Sequence, residues 1–424
     1  MDIIVVGAGI AGLSAGVGLR RAGHKVTVST FPLAIPFYGL RHSLICHTNK
    51  ILEQSSLLHE VGAAITIKPN ATRVLASWDF VPEQSGMVVL RGMSLIDGTN
   101  MQTVVPTYYK DCESTWGLPM YAVHRVDLHA QLRRLATQAK GPGRPCDIRA
   151  LSKVVDYDAE NGKVVTEDGE ALQADLVVAA DGVRSTAVKH VLGEGENVQA
   201  RDTGWACMRW LVPRDDLLCD PETAHMIEDS ATRYFTASGG AADFRAMVKP
   251  SLPLEYAKKH FAPALHAVIR KAKDVKFWKL VARGPILKWH KDRLVLIGDA
   301  AHPMLTFRKN SQSLVDSGSN KSTVQGQGGG QAIEDGAALG VLLDGVRNKE
   351  AVEDRLQLFE QIRRNRGSAL QILSNTNPPA PQSVRDAAAA YLPSGTRLDS
   401  TDDINDYVFS FDVIGECKAA LAAA

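Results

Sequence analysis

The chain opens Asp2-Ile3-Ile4-Val5-Val6-Gly7-Ala8-Gly9-Ile10-Ala11-Gly12 and continues through Leu13–Arg21 and Gly23 to Lys25-Val26-Thr27. A short apolar run stops at Gly7, and a helical pattern follows from Ile10 to Arg21. Gly23 ends that helix and a second strand starts at Lys25. Strand, tight turn, helix and strand in this order open a doubly wound α/β domain. The Gly7-x-Gly9-x-x-Gly12 spacing then acquires a physical meaning. Gly7 permits the turn, Gly9 lets the backbone approach a pyrophosphate, and Gly12 allows the helix to lie close to the strand. The helix N-terminus offers a partial positive charge to the phosphates. The spacing fits a dinucleotide without separating NAD from FAD.

A dinucleotide site also requires an acid about 20 residues further on, at the end of the second strand, for the ribose hydroxyls. Ser29-Thr30-Phe31-Pro32 stands there instead, and the nearest acid is Glu53, 41 residues after Gly12. If Val28–Lys50 were absent, Lys25-Val26-Thr27 would run into Ile51-Leu52-Glu53, and Glu53 would fall 18 residues after Gly12. The plainer reading makes Glu53 a solvated residue at a helix start. The ribose reading, with 28–50 looped out, accounts for more.

Two further strand ends carry an aspartate among small residues. They are Ala179-Ala180-Asp181-Gly182-Val183-Arg184-Ser185 and Gly298-Asp299-Ala300-Ala301-His302-Pro303. A carboxylate at such an edge accepts hydrogen bonds from ribose or ribityl hydroxyls, and small neighbours let a cofactor lie close. Between them, Lys153–Ala180 reads as a β-meander over the Asn161-Gly162 and Asp168-Gly169 turns, ending in a buried strand. One helix is expected near Leu254–Lys273, a buried strand over Arg293–Ile297, and helices over Gln331–Val346 and Asp354–Ser374. Residues 376–402 read as loop.

Composition sets outer limits. The 424 residues carry 48 Lys and Arg against 47 Asp and Glu, a net charge of +1 that recommends neither nucleic acid nor an anionic membrane surface as partner. No apolar run approaches the roughly 20 residues of a membrane span, and the first residues read as structure, not as an export signal. Six scattered cysteines without C-x-x-C spacing fit a reducing compartment, and cytoplasmic residence is the expectation. Twelve histidines without ligand spacing give no reason to expect a metal.

Together, Gly7-x-Gly9-x-x-Gly12, Asp181-Gly182 and Gly298-Asp299 resemble the group A FAD-dependent monooxygenases, with salicylate hydroxylase-like fungal enzymes as the nearest look. His124-Arg125-Val126-Asp127-Leu128, Gln327–Asp335 and the tail Tyr407–Asp412 match further segments of that family. The resemblance implies an α/β fold: a Rossmann-like FAD-binding domain, an interleaved mixed β-sheet substrate domain and C-terminal helices. The FAD-binding parts would span 1–80, 121–200 and 286–375, the substrate parts 81–120 and 201–285, with a tail over 376–424.

By the same resemblance Glu53 would bind the adenosine ribose and Ala64 would lie along the FAD. Arg125 would contact the flavin–ribityl region, Asp299 the ribityl hydroxyls and Gly329 the isoalloxazine. Asp181 would lie near the pyrophosphate and the path of the nicotinamide, and Arg209 would orient a phenolate. The implied reaction is hydroxylation of a phenolic or polyketide-derived aromatic with NADH or NADPH and O2, through a flavin C4a-hydroperoxide. Other chemistries on the fold are epoxidation or Baeyer–Villiger oxidation, and a flavin-binding relic is the non-enzymatic alternative.

Three stretches depart from the family pattern. Residues 28–50 and 309–326 differ in character from their flanks, and joining the flanks restores the pattern, as retained introns would leave it. After Tyr234–Gly240 the family runs into a strand bearing an aromatic-Tyr-Pro sequence, whereas here Asp243-Phe244-Arg245 leads to helix. A strand of the substrate sheet and a tyrosine of the catalytic site are therefore expected to be missing, and Tyr234 is no substitute.

Overall fold

The apolar Ile3–Val6 run has no polar face to show solvent, so it forms a central strand of a parallel sheet covered on both sides. The computed structural model describes residues 1–27, 50–52, 64–108, 112–193, 200–227, 231–236, 252–305, 326–374 and 381–424. In chain order, the elements that build the site are β1 (Asp2–Val6), α1 (Ile10–Arg21), β2 (Lys25–Thr27), β3 (Lys50–Leu52), β4 (Ala64–Ile67) and α2 (Pro69–Ser77). There follow β5 (Tyr121–His124), α3 (Arg125–Thr137), β6 (Asp147–Arg149), β7 (Leu176–Ala179), β8 (His290–Lys291), β9 (Leu294–Leu296), α4 (Gly328–Leu342) and α5 (Val352–Leu373).

The main sheet runs β8-β9-β7-β1-β2-β6-β3, parallel except for the β8–β9 edge. β2 and β3 occupy successive stretches beside β1. Asp2, Ile3 and Ile4 pair with Lys25, Val26 and Thr27, and Val5 and Val6 pair with Ile51 and Leu52. Residues 28–49 and 53–63, Glu53 included, lie outside the described residues, as do 306–325 and 237–251. The expected insertions and the expected missing strand thus fall almost wholly outside them.

α1 and α4 cross with their backbones touching. A Cβ on Gly18 would stand 2.3 Å from the Gly336 carbonyl oxygen, and one on Gly336 would stand 2.4 Å from the Ser14 carbonyl carbon. Small residues at i, i+4 on both helices allow this approach, and it fixes the N-terminus of α4 beside that of α1.

The meander is present as Val154–Asp158, Lys163–Thr166 and Ala171–Gln173. The substrate-side strands form separate sheets among the described residues. Gly92–Asp97 pairs with Thr103–Tyr108 and Ala231–Thr236, and Arg201–Leu211 pairs with Lys273–Ala282.

Two expectations need correction. The helix near Leu254–Lys273 is two helices, Leu252–His260 and Pro263–Arg270, because Pro263 cannot donate to a preceding turn and starts a new one. The loop expected over 376–402 contains a helix, Gln382–Ala389, and beyond it come Thr401–Phe409, with a Ser400–Asp403 capping box, and Val413–Ala423. Val413 and Cys417 are buried in the main core against α4, so the chain's last helix belongs to the body of the fold. Among the described residues, no helix is long and apolar enough to cross a membrane.

Candidate active site

The three sequence signatures converge on the N-terminus of α1. A Cβ on Gly7 would lie 2.3 Å from the Ala180 carbonyl oxygen, and Gly7 holds φ +100°, a conformation that glycine alone adopts without strain. A Cβ on Gly12 would lie 1.8 Å from the Gly7 carbonyl oxygen. Gly298 faces Ala11, with 2.6 Å between their Cβ positions, and a Cβ on Gly329 would meet Ile65 at 2.6 Å and Ile10 at 3.9 Å. The Gly-rich turn, the Asp181 segment, the Asp299 turn and the α4 N-terminus therefore touch one another. In contrast, no protein atom lies within 4 Å of where a Cβ on Gly9 or Gly328 would stand. Two helix N-termini thus face open space, which suits negative charge.

Ala64 is exposed and pairs with His124, so it sits beside the residue that leads into Arg125, the first of α3. Leu52, the residue before Glu53, pairs with Val6. Arg209 lies on Arg201–Leu211 opposite Lys276, and no described contact joins it to the convergence point.

The carboxylates at this point are electrostatically unusual. Asp299 is accessible to solvent yet surrounded by protein mass, as a residue on a cleft floor is. Burial pushes its carboxyl up, opposed by His302, Arg125 and Arg283. Burial likewise raises Asp181, against the pull of hydrogen bonds from Ser185 and Tyr157; the Tyr157 hydroxyl donates to Asp181 Oδ2 at 2.8 Å. The Tyr157 hydroxyl is itself pushed well up, by burial and by the Asp181 charge. Arg283 serves both aspartates. Its Nη2 donates to the Ala300 carbonyl at 2.5 Å, and burial lowers it to about 10 while Asp299 and Asp181 hold it up.

A fully buried charge network supports the Asp299 turn from behind. Glu334 and Asp335 on α4 and Arg363 on α5 are 0% exposed. Asp335 Oδ2 accepts the Gly298 N–H at 2.9 Å and lies 2.6 Å from His302 Nε2, while Oδ1 accepts from Arg363 Nε at 2.9 Å. Burial raises the Asp335 carboxyl, but His302 and Arg363 outweigh it and hold it at about 2. Glu334 accepts from Arg363 at 2.5 Å, from Arg366 at 2.9 and 3.0 Å, and from Asn70 on α2 at 2.5 Å. Arg366 also donates to the carbonyls of Tyr407 and Val408 and stacks on Phe411 at 3.9 Å. That contact explains why the tail matters: it covers the outer guanidinium of the network. Sequence reasoning missed Tyr157, Arg283, His302, Arg363 and Arg366.

No family model matches the chain. It is 69% identical over 401 residues to the FAD-dependent monooxygenase phomE' of Diaporthe leptostromiformis, covering 88% of this chain and 96% of that one. The chain belongs to the FAD-dependent monooxygenases. This FAD-dependent monooxygenase is also 26% identical over 334 residues to 3-hydroxybenzoate 6-hydroxylase 1 of Aquipseudomonas alcaligenes, covering 74% of this chain and 77% of that one. Its fold is shared with CtdE solved in complex with FAD and a substrate, at TM-score 0.71 and 20% identity over 100% of this chain and 98% of that one. A salicylate hydroxylase substrate complex matches at TM-score 0.64 and 18% identity, over 99% and 98%. The monooxygenase is thus of the salicylate hydroxylase type, its cofactor is FAD, and its architecture is the Rossmann-like α/β fold that the opening residues imply.

Proposed function

We propose that this monooxygenase hydroxylates a phenolic or polyketide-derived aromatic ring in the cytoplasm, with NADH or NADPH and O2 as co-substrates. The carrying observation is the convergence of the Gly7–Gly12 turn, Asp181, Asp299 and Gly329 around two open helix N-termini. The likeness to a hydroxybenzoate hydroxylase supports an aromatic substrate.

The residues present fit FAD. The open backbone at Gly9 suits the pyrophosphate, and the accessible Asp299 carboxyl in its protein surround suits the ribityl hydroxyls. Glu53 takes the adenosine ribose, and Ala64 and Arg125 border the ribityl and flavin. Gly329 leaves room for the isoalloxazine. Asp181, with Tyr157 and Arg283 beside it, lies by the pyrophosphate and the nicotinamide path.

When bound, FAD supplies the redox chemistry, accepting a hydride from NAD(P)H and delivering the electrons to O2. The protein's own contribution is electrostatic and steric. The N-terminus of α4, with Gly328–Gly330 in its first turn, favours negative charge on the adjacent ring. Arg209 holds the substrate as phenolate by charge, and closure of the pocket keeps water from the reacting atoms.

Asp299→Ala is expected to weaken FAD binding roughly 10- to 100-fold, the worth of charge-assisted hydrogen bonds to hydroxyls. Flavin fluorescence titration measures this, and unchanged affinity would remove Asp299 from the site. For the reaction, NADPH oxidation by the flavin-loaded enzyme should rise on adding salicylate-like phenols, with a hydroxylated product by mass spectrometry. Stimulation by alkenes or ketones alone would replace the proposal with epoxidation or Baeyer–Villiger chemistry.

A second reading, FAD binding without turnover, draws on one observation. Among the described residues, the Arg209 strand pairs only with Lys273–Ala282 and not with the sheet around Gly92–Asp97. Flavin binding with no substrate-stimulated oxidation would favour it.

A further inference from the structure

We propose that residues 28–50 interrupt one β-strand, and that the FAD-binding form of this protein is the chain in which Thr27 is followed directly by Ile51. The first half stands on strand register alone. The second rests on the reading of Glu53 as the acid at the adenosine ribose.

Parallel strands advance together, one residue for one residue. Along β1 the partners of Asp2, Ile3, Ile4, Val5 and Val6 are Lys25, Val26, Thr27, Ile51 and Leu52. No place is skipped and none is filled twice, although 23 residues of sequence separate Thr27 from Ile51. On the other side, against β6, the fit fails in one place. Thr27 and Lys50 are both opposite Asp147, while Ile51 and Leu52 come in step opposite Ile148 and Arg149. One place on a strand takes one residue. Lys50 is the surplus, so register sets the cut after Thr27 and before Ile51 and nowhere else.

The junction also decides which way the next residues face. Side chains alternate along a strand, so leaving one extra residue turns Ile51, Leu52 and their successors to the opposite faces of the sheet. Removing residues 28–50 keeps the alternation from Val26 through Ile51. It also brings Glu53 to 18 residues after Gly12, directly beyond Leu52, whose partner Val6 precedes the Gly7 turn.

The test compares the full chain with three deletions: residues 28–50, residues 28–49 and residues 27–50. Removing 28–50 eliminates the closure entropy of a long loop within the strand and should raise the apoprotein Tm by about 3 °C. The other two deletions are one residue out of step and should lower Tm below that of the full chain. The in-step deletion should bind FAD at least about tenfold more tightly than either of them, and at least as tightly as the full chain. If all three deletions melt alike, or the in-step deletion melts lowest, the single-strand proposal is overturned. If the melting order is as expected but the in-step deletion binds no FAD, the strand stands. The assignment of Glu53 to the ribose, and with it the FAD-binding form, then falls.

Discussion

Arg363→Ala is expected to destabilise the protein by about 3–5 kcal/mol, read as a lowered urea midpoint, because it leaves buried carboxylates short of their cation. Glu334 and Asp335 are both 0% exposed, and Arg363 donates to both, at 2.5 and 2.9 Å. Arg366 still serves Glu334 and His302 still lies against Asp335, so the loss is severe without being total. The same change loosens the Gly298 N–H bond to Asp335 and with it the turn bearing Asp299, so flavin retention should fall together with stability. Arg363→Lys keeps the charge but not the two-sided fork and should recover less than half of the loss.

The network also sets an acid limit. Asp335 is held at about 2 in the folded protein against an ordinary 3.8, so the folded state binds fewer protons. Its stabilisation, about 2 kcal/mol, is fully present above about pH 4 and is lost as pH falls toward 2. In Arg363→Ala the depression shrinks and that contribution falls at every pH above 4. An acid titration of Tm that is equally steep in both proteins between pH 4 and 2 would show that Asp335 is not held down by Arg363.

The parts of the fold legible in the sequence are the local ones. The Gly7–Gly12 turn, α1 and the strands ending at Asp181 and Asp299 are each written in a dozen consecutive residues, because turn, helix and buried strand are local solutions for a backbone. The continuation of β2 into Ile51 was readable too, since a missing acid at a fixed distance from Gly12 pointed to surplus chain before Glu53. The charge network was not readable in the same way. Its members lie on α2, α4 and α5, with the tail carbonyls of Tyr407 and Val408 beyond them, and no local pattern ties Asn70 to Glu334 or His302 to Asp335. One signal was present. Glu334-Asp335 interrupts the apolar run Ala332-Ile333 and Ala337-Ala338-Leu339, and two adjacent acids in a buried helix require cations from elsewhere. Arg283 gave none: it lies between a strand and a proline, and only the fold carries it between Asp181 and Asp299.

Gly12→Ala and Gly9→Ala are expected to fail in opposite ways, although both add one methyl group to the same turn. At Gly12 the new Cβ would stand 1.8 Å from the Gly7 carbonyl oxygen, 3.0 Å from its carbon and 3.3 Å from Val5 Cγ1. The obstacle is backbone, locked by Gly7 at φ +100°, so no side-chain rotation relieves it, and α1 must move off β1. A loss of about 3 kcal/mol or more is expected, at the upper end for overpacking, and the protein should lose both Tm and flavin. At Gly9 the backbone has φ −71°, open to any residue, and no protein atom lies within 4 Å of the new Cβ. The apoprotein of Gly9→Ala should therefore melt within about 0.5 kcal/mol of the parent. Its FAD affinity should still fall at least about tenfold, because the methyl takes up space through which the pyrophosphate reaches the helix N-terminus. Urea denaturation of the apoproteins and fluorescence titration with FAD separate the two effects. A Gly9→Ala protein that binds FAD like the parent would place the pyrophosphate elsewhere, whereas a Gly12→Ala protein of parental stability would show that α1 can shift away from β1 at little cost.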